Sequence, residues 1–219
     1  MCAVGFALDD YEAAVQAAAG FDFADLPRQA VLKRRAEFLA GRLAAVSALR
    51  ALGVAGQPVR REDGSPAWPA AAVGSISHGA GRALCVVARS VEFRSLGIDA
   101  ERLLDAEMNS ELGKRICYDR ERELLGAALS VPEPERVSLA FSAKESLYKC
   151  LYPHVGRFMD FHAAEIVAAR GHAQGGTLSG ELSLRLCQDW SDGFRAGQTL
   201  QATFALTTEH VETAVALAV

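Results

Sequence analysis

Two carboxylates, two residues apart, are the first residues in this chain whose spacing suggests chemistry. A strand through Leu96-Gly97-Ile98-Asp99-Ala100-Glu101 would turn Leu96, Ile98 and Ala100 to one face and Asp99 and Glu101 to the other. The two acids would then lie about 7 Å apart at Cα. Like charges aimed the same way repel unless a cation stands between them. A hard cation such as Mg2+, which takes oxygen ligands and keeps substrate phosphates, suits that position. About forty residues on comes Phe141-Ser142-Ala143-Lys144-Glu145-Ser146-Leu147-Tyr148-Lys149. Glu145 and Lys149 are i,i+4 neighbours in the favourable order. With Ser138 and Ser142 they form one polar stripe, while Phe141, Leu147, Tyr148 and Leu151 make most of the remaining surface apolar. A helix of that kind is expected to be buried, with its acid and base lining an interior cleft.

Two basic features accompany the acids. Arg28, Arg35 and Arg42 recur every seven residues along a helical line, with Lys33 and Arg34 beside them, and Arg60 and Arg61 open the loop before Asp63-Gly64-Ser65-Pro66. Arginine is the preferred donor to phosphate. In Gly74-Ser75-Ile76-Ser77-His78 small residues permit close backbone approach, and the imidazole can donate to a phosphate or ribose. Taken singly, each feature has an ordinary structural counterpart: a solvated strand face, a helix-surface ion pair, a solvated basic face, a structural histidine. Taken together they describe one ligand, a phosphate-rich molecule requiring Arg, Lys, His and carboxylate-bound Mg2+.

These residues need elements to hold them. Apolar positions at spacings of three and four predict a helix from Pro27 to Gly53, with Pro27 in its first turn and Gly53 as its stop. Gly56, Pro58, Gly64, Pro66 and Pro69 make 54–72 read as loop. Strands are expected at 73–78, 83–89 and 96–101, helices at 119–129 and 135–152 (the second stopped by Pro153), then strands at 164–169, 181–186, 201–206 and 213–219. Residues 1–27 carry no clear element. The fold class is α+β: two pseudo-symmetric lobes, 1–104 and 105–219, each a mainly antiparallel sheet packed with helices, because the strands lie too close for βαβ crossovers.

The 219 residues correspond to one large domain or two small ones. Hydrophobic residues make up 50% and charged residues 23%, with a net charge of −4, which excludes disorder and argues against nucleic acid as a partner bound through bulk charge. Five scattered cysteines without a CxxC pair fit reduced thiols rather than a disulfide framework or a zinc site. The N-terminus does not read as a signal peptide, and no run of about 18 apolar residues would span a membrane. The expected location is cytoplasmic.

The chain resembles the two-lobed 4′-phosphopantetheinyl transferases of the surfactin- and enterobactin-synthetase type. The resemblance rests on Ala40-Gly41-Arg42-Leu43, Gly64-Ser65-Pro66 with Trp68-Pro69, Ser75-Ile76-Ser77-His78, Gly97-Ile98-Asp99-Ala100-Glu101 and Phe141 to Lys149, in the family's order. Phe141, where surfactin-type members often have Trp, points to the enterobactin-type branch. The resemblance implies that coenzyme A, the co-substrate, binds in the cleft between the lobes. Arg42, Arg60 and His78 would contact its 3′-phosphate, with Gly64, Ser65, Ser75, Ile76 and Ser77 around the adenine and ribose. Asp99, Glu101 and Glu145 would hold Mg2+, and Lys149, with Lys144 close by, would neutralise the pyrophosphate. The catalytic set is then Glu145, Lys149 and Asp99. The serine of an acyl or peptidyl carrier protein, deprotonated by Glu145 or through a metal-bound water, would attack the β-phosphorus. Adenosine 3′,5′-bisphosphate would leave. With both lobes in one chain, a monomer is expected. The segment Met108–Tyr118, with Lys114, Arg115, Ile116 and Tyr118, is the candidate wall for docking an acidic carrier helix. The rival readings are a non-catalytic coenzyme A or nucleotide binder, which has no use for a base beside the metal, and a phosphodiesterase, which would want a His/Asp-rich metal cluster.

Overall fold

In the computed structural model, which describes residues 2–5, 31–79, 81–104 and 112–219, the spacing read between Pro27 and Gly53 becomes α1 (Leu32–Ala51). Residues 27–30, and with them Arg28, lie outside the described residues. The buried face of α1 is rich in alanine: Ala36, Ala40, Ala44, Ala45 and Ala48, with Leu39 and Leu49. Small side chains let the helix lie close on a three-stranded antiparallel sheet, β1 (Cys2–Gly5), β5 (Arg82–Arg89) and β4 (Ala72–Gly79), in the order β1-β5-β4. Gly53, at φ +75°, ends the helix as expected.

Two short elements escape the sequence reading. β1 lies in the stretch where no element was expected, and a two-residue pairing of β2 (Val59–Arg60) with β3 (Pro66–Ala67) sits inside the presumed loop. Four and two residues are too few to show a period.

The second layered unit begins on β6 (Phe93–Arg102) and contains α2 (Asp119–Leu129), α3 (Glu133–Val155), β7 (Ala164–Gln174), β8 (Thr177–Leu186), β9 (Thr199–Leu206) and β10 (His210–Ala218). Its five-stranded sheet runs β6-β10-β9-β8-β7, with antiparallel pairing at β7/β8, β8/β9 and β9/β10. Leu139, Leu147 and Leu151 of α3 share one core with Ile166, Leu182, Leu184 and Val211 of the sheet. Pro153 does not stop α3. A proline in the last turn forfeits one i→i−4 hydrogen bond, and the helix runs on to Gly156, whose φ of +67° ends it.

The chain divides into two compact units, Met1–Leu96 with Ala218–Val219, and Gly97–Leu217. The division falls inside β6, ahead of the 104/105 boundary read from the sequence, and gathers Asp99 and Glu101 with α3. Among the described residues no helix is long and apolar enough to cross a membrane.

One contact sets how β6 meets α3. A Cβ on Gly97 would lie 1.8 Å from the Ser146 carbonyl oxygen and 2.6 Å from the Cys150 nitrogen, so strand and helix touch backbone to backbone where only glycine fits. Gly97→Ala is expected to cost about 3 kcal/mol or more, the upper range for overpacking, in urea unfolding. Gly5→Ala, whose Cβ meets nothing within 4 Å, is the control and should stay within about 0.5 kcal/mol of wild type.

Candidate active site

The site is built on α3. Glu133 and Glu135 in its first turn complement the helix dipole, and Pro134 sits where its missing N–H costs nothing. Most of its circumference is interior. The serines of the predicted polar stripe are spent on that packing rather than on a ligand. Ser138 Oγ donates to the Pro134 carbonyl (2.8 Å) and accepts from Leu104 N (2.9 Å). Ser142 and Ser146, both fully buried, meet Thr213 Oγ1 of β10 at 2.9 Å and 3.1 Å. Buried hydroxyls must be paired, and here the pairing fixes the rotation of the helix about its axis.

That rotation turns Glu145 and Lys149 toward β6. Lys149 Nζ donates to Asp99 Oδ1 at 2.7 Å and to the Ile98 carbonyl at 3.2 Å. Asp99 is 2% exposed, while the Lys149 side chain keeps 28% of its surface open. Glu145 is half-buried. Burial pushes its carboxyl above the ordinary range and the Asp99 charge adds to this, while Lys149 opposes both. Glu101, half-buried, follows Asp99 two residues on along the same strand face. Asp99 and Glu145 thus set two carboxyl groups about one ammonium. The donor set is all oxygen, as a hard cation requires. Among the described residues, however, no group of three or more His, Cys, Asp and Glu side chains is drawn together closely enough to hold a metal.

Lys144 stands elsewhere. Expected beside the pyrophosphate, its ammonium is instead 3% exposed, bonded to Glu121 Oε2 at 2.9 Å and to the Ile116 carbonyl at 2.7 Å. Next to it a small pocket is lined by Glu145, Tyr148, Phe158, Met159, Phe161 and Trp190, among others. It is apolar apart from Glu145, Lys144 and Asp160. Of the docking segment, Lys114 and Arg115 are exposed, but Ile116 is 2% exposed and belongs to the core. It cannot form a docking wall. Tyr118 is half-buried and its hydroxyl donates to the His162 carbonyl. Met108 lies outside the described residues.

The other predicted residues lie in the first unit. Arg42 is buried on α1, donating to the Pro58 carbonyl (2.7 Å) with its guanidinium over the Phe38 ring. One residue away, a Cβ on Gly41 would come within 2.9 Å of Ile76 Cγ2, so Ile76 packs against α1. Ser75 and Ser77 are buried, whereas His78 is partly open, with Nε2 2.9 Å from Arg34 and Nδ1 3.7 Å from Glu37. Arg60 and Gly64 face each other across the turn between β2 and β3. Gly64 takes φ +85° there, and Asp63 Oδ1 accepts from both the backbone N and the hydroxyl of Ser65.

Three features went unread in the sequence: Glu37, Glu121 and the aromatic pocket. Glu37 has a local signal, lying four residues after Lys33. Glu121 looks like an ordinary first-turn acid. The pocket draws on residues from 144 to 190 and has no local signal at all.

A model of the 4′-phosphopantetheinyl transferase N-terminal domain matches residues 22–88, and a model of the 4′-phosphopantetheinyl transferase superfamily matches residues 95–205. The chain is 42% identical over 144 residues to enterobactin synthase component D of Salmonella typhimurium, covering 66% of this chain and 59% of that one. To the same component of Salmonella typhi it is 44% identical over 131 residues, 60% of this chain and 54% of the relative. To 4′-phosphopantetheinyl transferase Svp of Streptomyces mobaraensis it is 39% identical over 142 residues, 63% and 56%. The matched stretches thus span somewhat more than half the length of these relatives.

The raised Glu145 carboxyl has a signed consequence. The folded protein holds that proton more tightly than the unfolded chain, so ionising Glu145 subtracts from stability as pH climbs above the usual carboxylate range. Asp99→Asn removes the repulsion and is expected to lower the Glu145 titration midpoint, whereas Lys149→Met removes the attraction and raises it. NMR titration of the side-chain carboxyl carbon reads both. Shifts of the opposite sign would exclude this arrangement of charges.

Proposed function

Because the chain belongs to the 4′-phosphopantetheinyl transferase superfamily, we propose that it transfers the 4′-phosphopantetheine arm of coenzyme A to a serine of an apo acyl or peptidyl carrier protein, releasing adenosine 3′,5′-bisphosphate. The observation that carries the reading is the meeting of Glu145, Lys149 and Asp99 where α3 crosses β6: a carboxyl with a raised proton affinity beside an ammonium held by a buried acid. Phosphoryl transfer asks a protein mainly for positioning and charge neutralisation, and these groups are suited to both.

Glu145 takes the proton of the carrier serine, a role its raised proton affinity suits because a base works best near the working pH. The serine oxygen bonds to the β-phosphorus as the bond to the bridging oxygen breaks, and the nucleotide leaves. Lys149 offsets the charge arriving on the pyrophosphate, and Asp99 aims the Lys149 ammonium. Asp99, Glu101 and Glu145 are the oxygen donors that would have to draw together to hold Mg2+, which when bound would supply further neutralisation of the phosphates. Lys144, sealed against Glu121, has no part in holding phosphate. In the first unit, Arg42, Arg60 and His78 would receive the 3′-phosphate, with Gly64, Ser65, Ser75, Ile76 and Ser77 near the adenine and ribose. An acidic carrier would meet the exposed Lys114 and Arg115.

Incubation with coenzyme A, Mg2+ and an apo carrier domain should add one phosphopantetheine to the carrier in its mass spectrum, and chelation of the metal should abolish the gain. No gain across several carrier types would reject the reading. Glu145→Gln should lower kcat by about 10²–10⁴, the usual worth of a general base, while calorimetry still registers coenzyme A binding. Joint loss of binding and transfer would assign Glu145 a structural role instead.

A further inference from the structure

The proposed site uses one lysine of α3 and leaves the other unexplained. Lys144 is separated from solvent and joined to Glu121, whose side chain is 0% exposed. Glu121 is fully engaged. Its Oε2 accepts from Lys144 and from the backbone N of Tyr118 (2.8 Å), and its Oε1 accepts from the backbone N of Ile166 (2.7 Å). Lys144 in turn donates to the Ile116 carbonyl. One ion pair therefore ties α3 to the segment before α2, to the first turn of α2, and to β7. No other carboxylate among the described residues meets Lys144 within hydrogen-bond distance.

Burying such a pair gains little stability by itself. An apolar pair of matching volume is often as stable or more so, whereas removing one partner alone is strongly destabilising. What a carboxylate with three fixed donors supplies is direction. Leucine and methionine would fill the space without setting the angle of the helix. The residue after Lys144 is Glu145, and a misplacement of about 1 Å in a reacting group can cost about 10²-fold in rate.

We propose that Glu121 is a positioning residue: through Lys144 it fixes the axial setting of α3, whose rotation the Ser142 and Ser146 contacts to Thr213 set, and so aims Glu145 at the reacting serine. This rests on the transfer reading above. It assigns the lysine of the Lys144-Glu145-Ser146 motif to alignment rather than to phosphate.

The test is the charge-free double variant Glu121→Leu/Lys144→Met beside Glu121→Asp, which keeps both charges but shortens the acid by one methylene. Each is measured for thermal midpoint, coenzyme A affinity by calorimetry, kcat and KM. The expected result is a folded protein with coenzyme A affinity within about threefold of wild type and kcat lowered about 10- to 100-fold, accompanied by shifted backbone amide resonances at Glu145 and Lys149. If the double variant does not fold, the Glu121→Asp data decide. Folded variants with kcat within about twofold of wild type would overturn the proposal, as would a raised coenzyme A KM at unchanged kcat, which would return Lys144 to the cofactor. Wild-type protein in the same assay separates the two readings. If it transfers nothing, the activity is wrong, and the amide shifts still report whether Glu121 sets α3. Unmoved amide resonances in folded variants would overturn the positioning role independently of activity.

Discussion

Asp99 holds a carboxylate at 2% exposure, and an ionised acid cannot stay there without a counter-charge, since its effective desolvation penalty is several kcal/mol. Lys149 is that counter-charge. The need to bring an ammonium from a helix onto a strand acid dictates much of the surrounding geometry. The two backbones must approach closely, which Gly97 permits and a Cβ would forbid. The helix must present the correct edge, which the Ser142–Thr213 and Ser146–Thr213 hydroxyl contacts set. It must also keep that edge at the correct height, the office proposed for Glu121 and Lys144.

The two lysines of α3 are five residues apart, and their surroundings give them different uses. Lys144, 3% exposed and matched to one carboxylate, is an internal strut. Lys149, 28% exposed and beside Asp99 and Glu145, has the exposure to exchange part of its pairing for an incoming anion. Half-buried Glu145 has the intermediate character that proton transfer needs: sheltered enough to hold a proton tightly, open enough to give it up. Full burial would freeze it neutral, and full exposure would leave it an ordinary acid.

The sequence carried the elements well where the period was long. The helix at 119–129 was legible because burial on one face, at Glu121, Leu125 and Leu129, writes a helical period into the chain. Spacing also put Asp99, Glu145 and Lys149 on faces that the structure brings together. It misjudged Lys144 for a related reason: spacing shows which side of a helix a residue occupies, but not whether another element seals that side. Glu121 comes from a different helix, twenty-three residues earlier, and nothing local marks it as interior. Ile116 failed in the same way, since a basic-apolar segment reads as a surface until the core that swallows its isoleucine is known.

A net charge of −4 sits awkwardly with a protein proposed to attract both a polyanionic cofactor and an acidic carrier. The pairing pattern makes the total a poor guide. Arg120 and Arg185 share Glu165, Arg122 meets Asp119 and Glu133, Arg170 meets Glu181, and Arg195 meets Asp189 and Asp192. Many charges of both signs therefore cancel within a few ångströms and leave little field beyond the Debye length of about 8 Å. An approaching anion responds to the local imbalance near its landing point. Before α2, Lys114 and Arg115 are adjacent and both exposed, between the buried Gly113 and Ile116. Steering by such a pair is short-ranged and salt-sensitive, so the remainder of the surface can stay mildly acidic without defeating it.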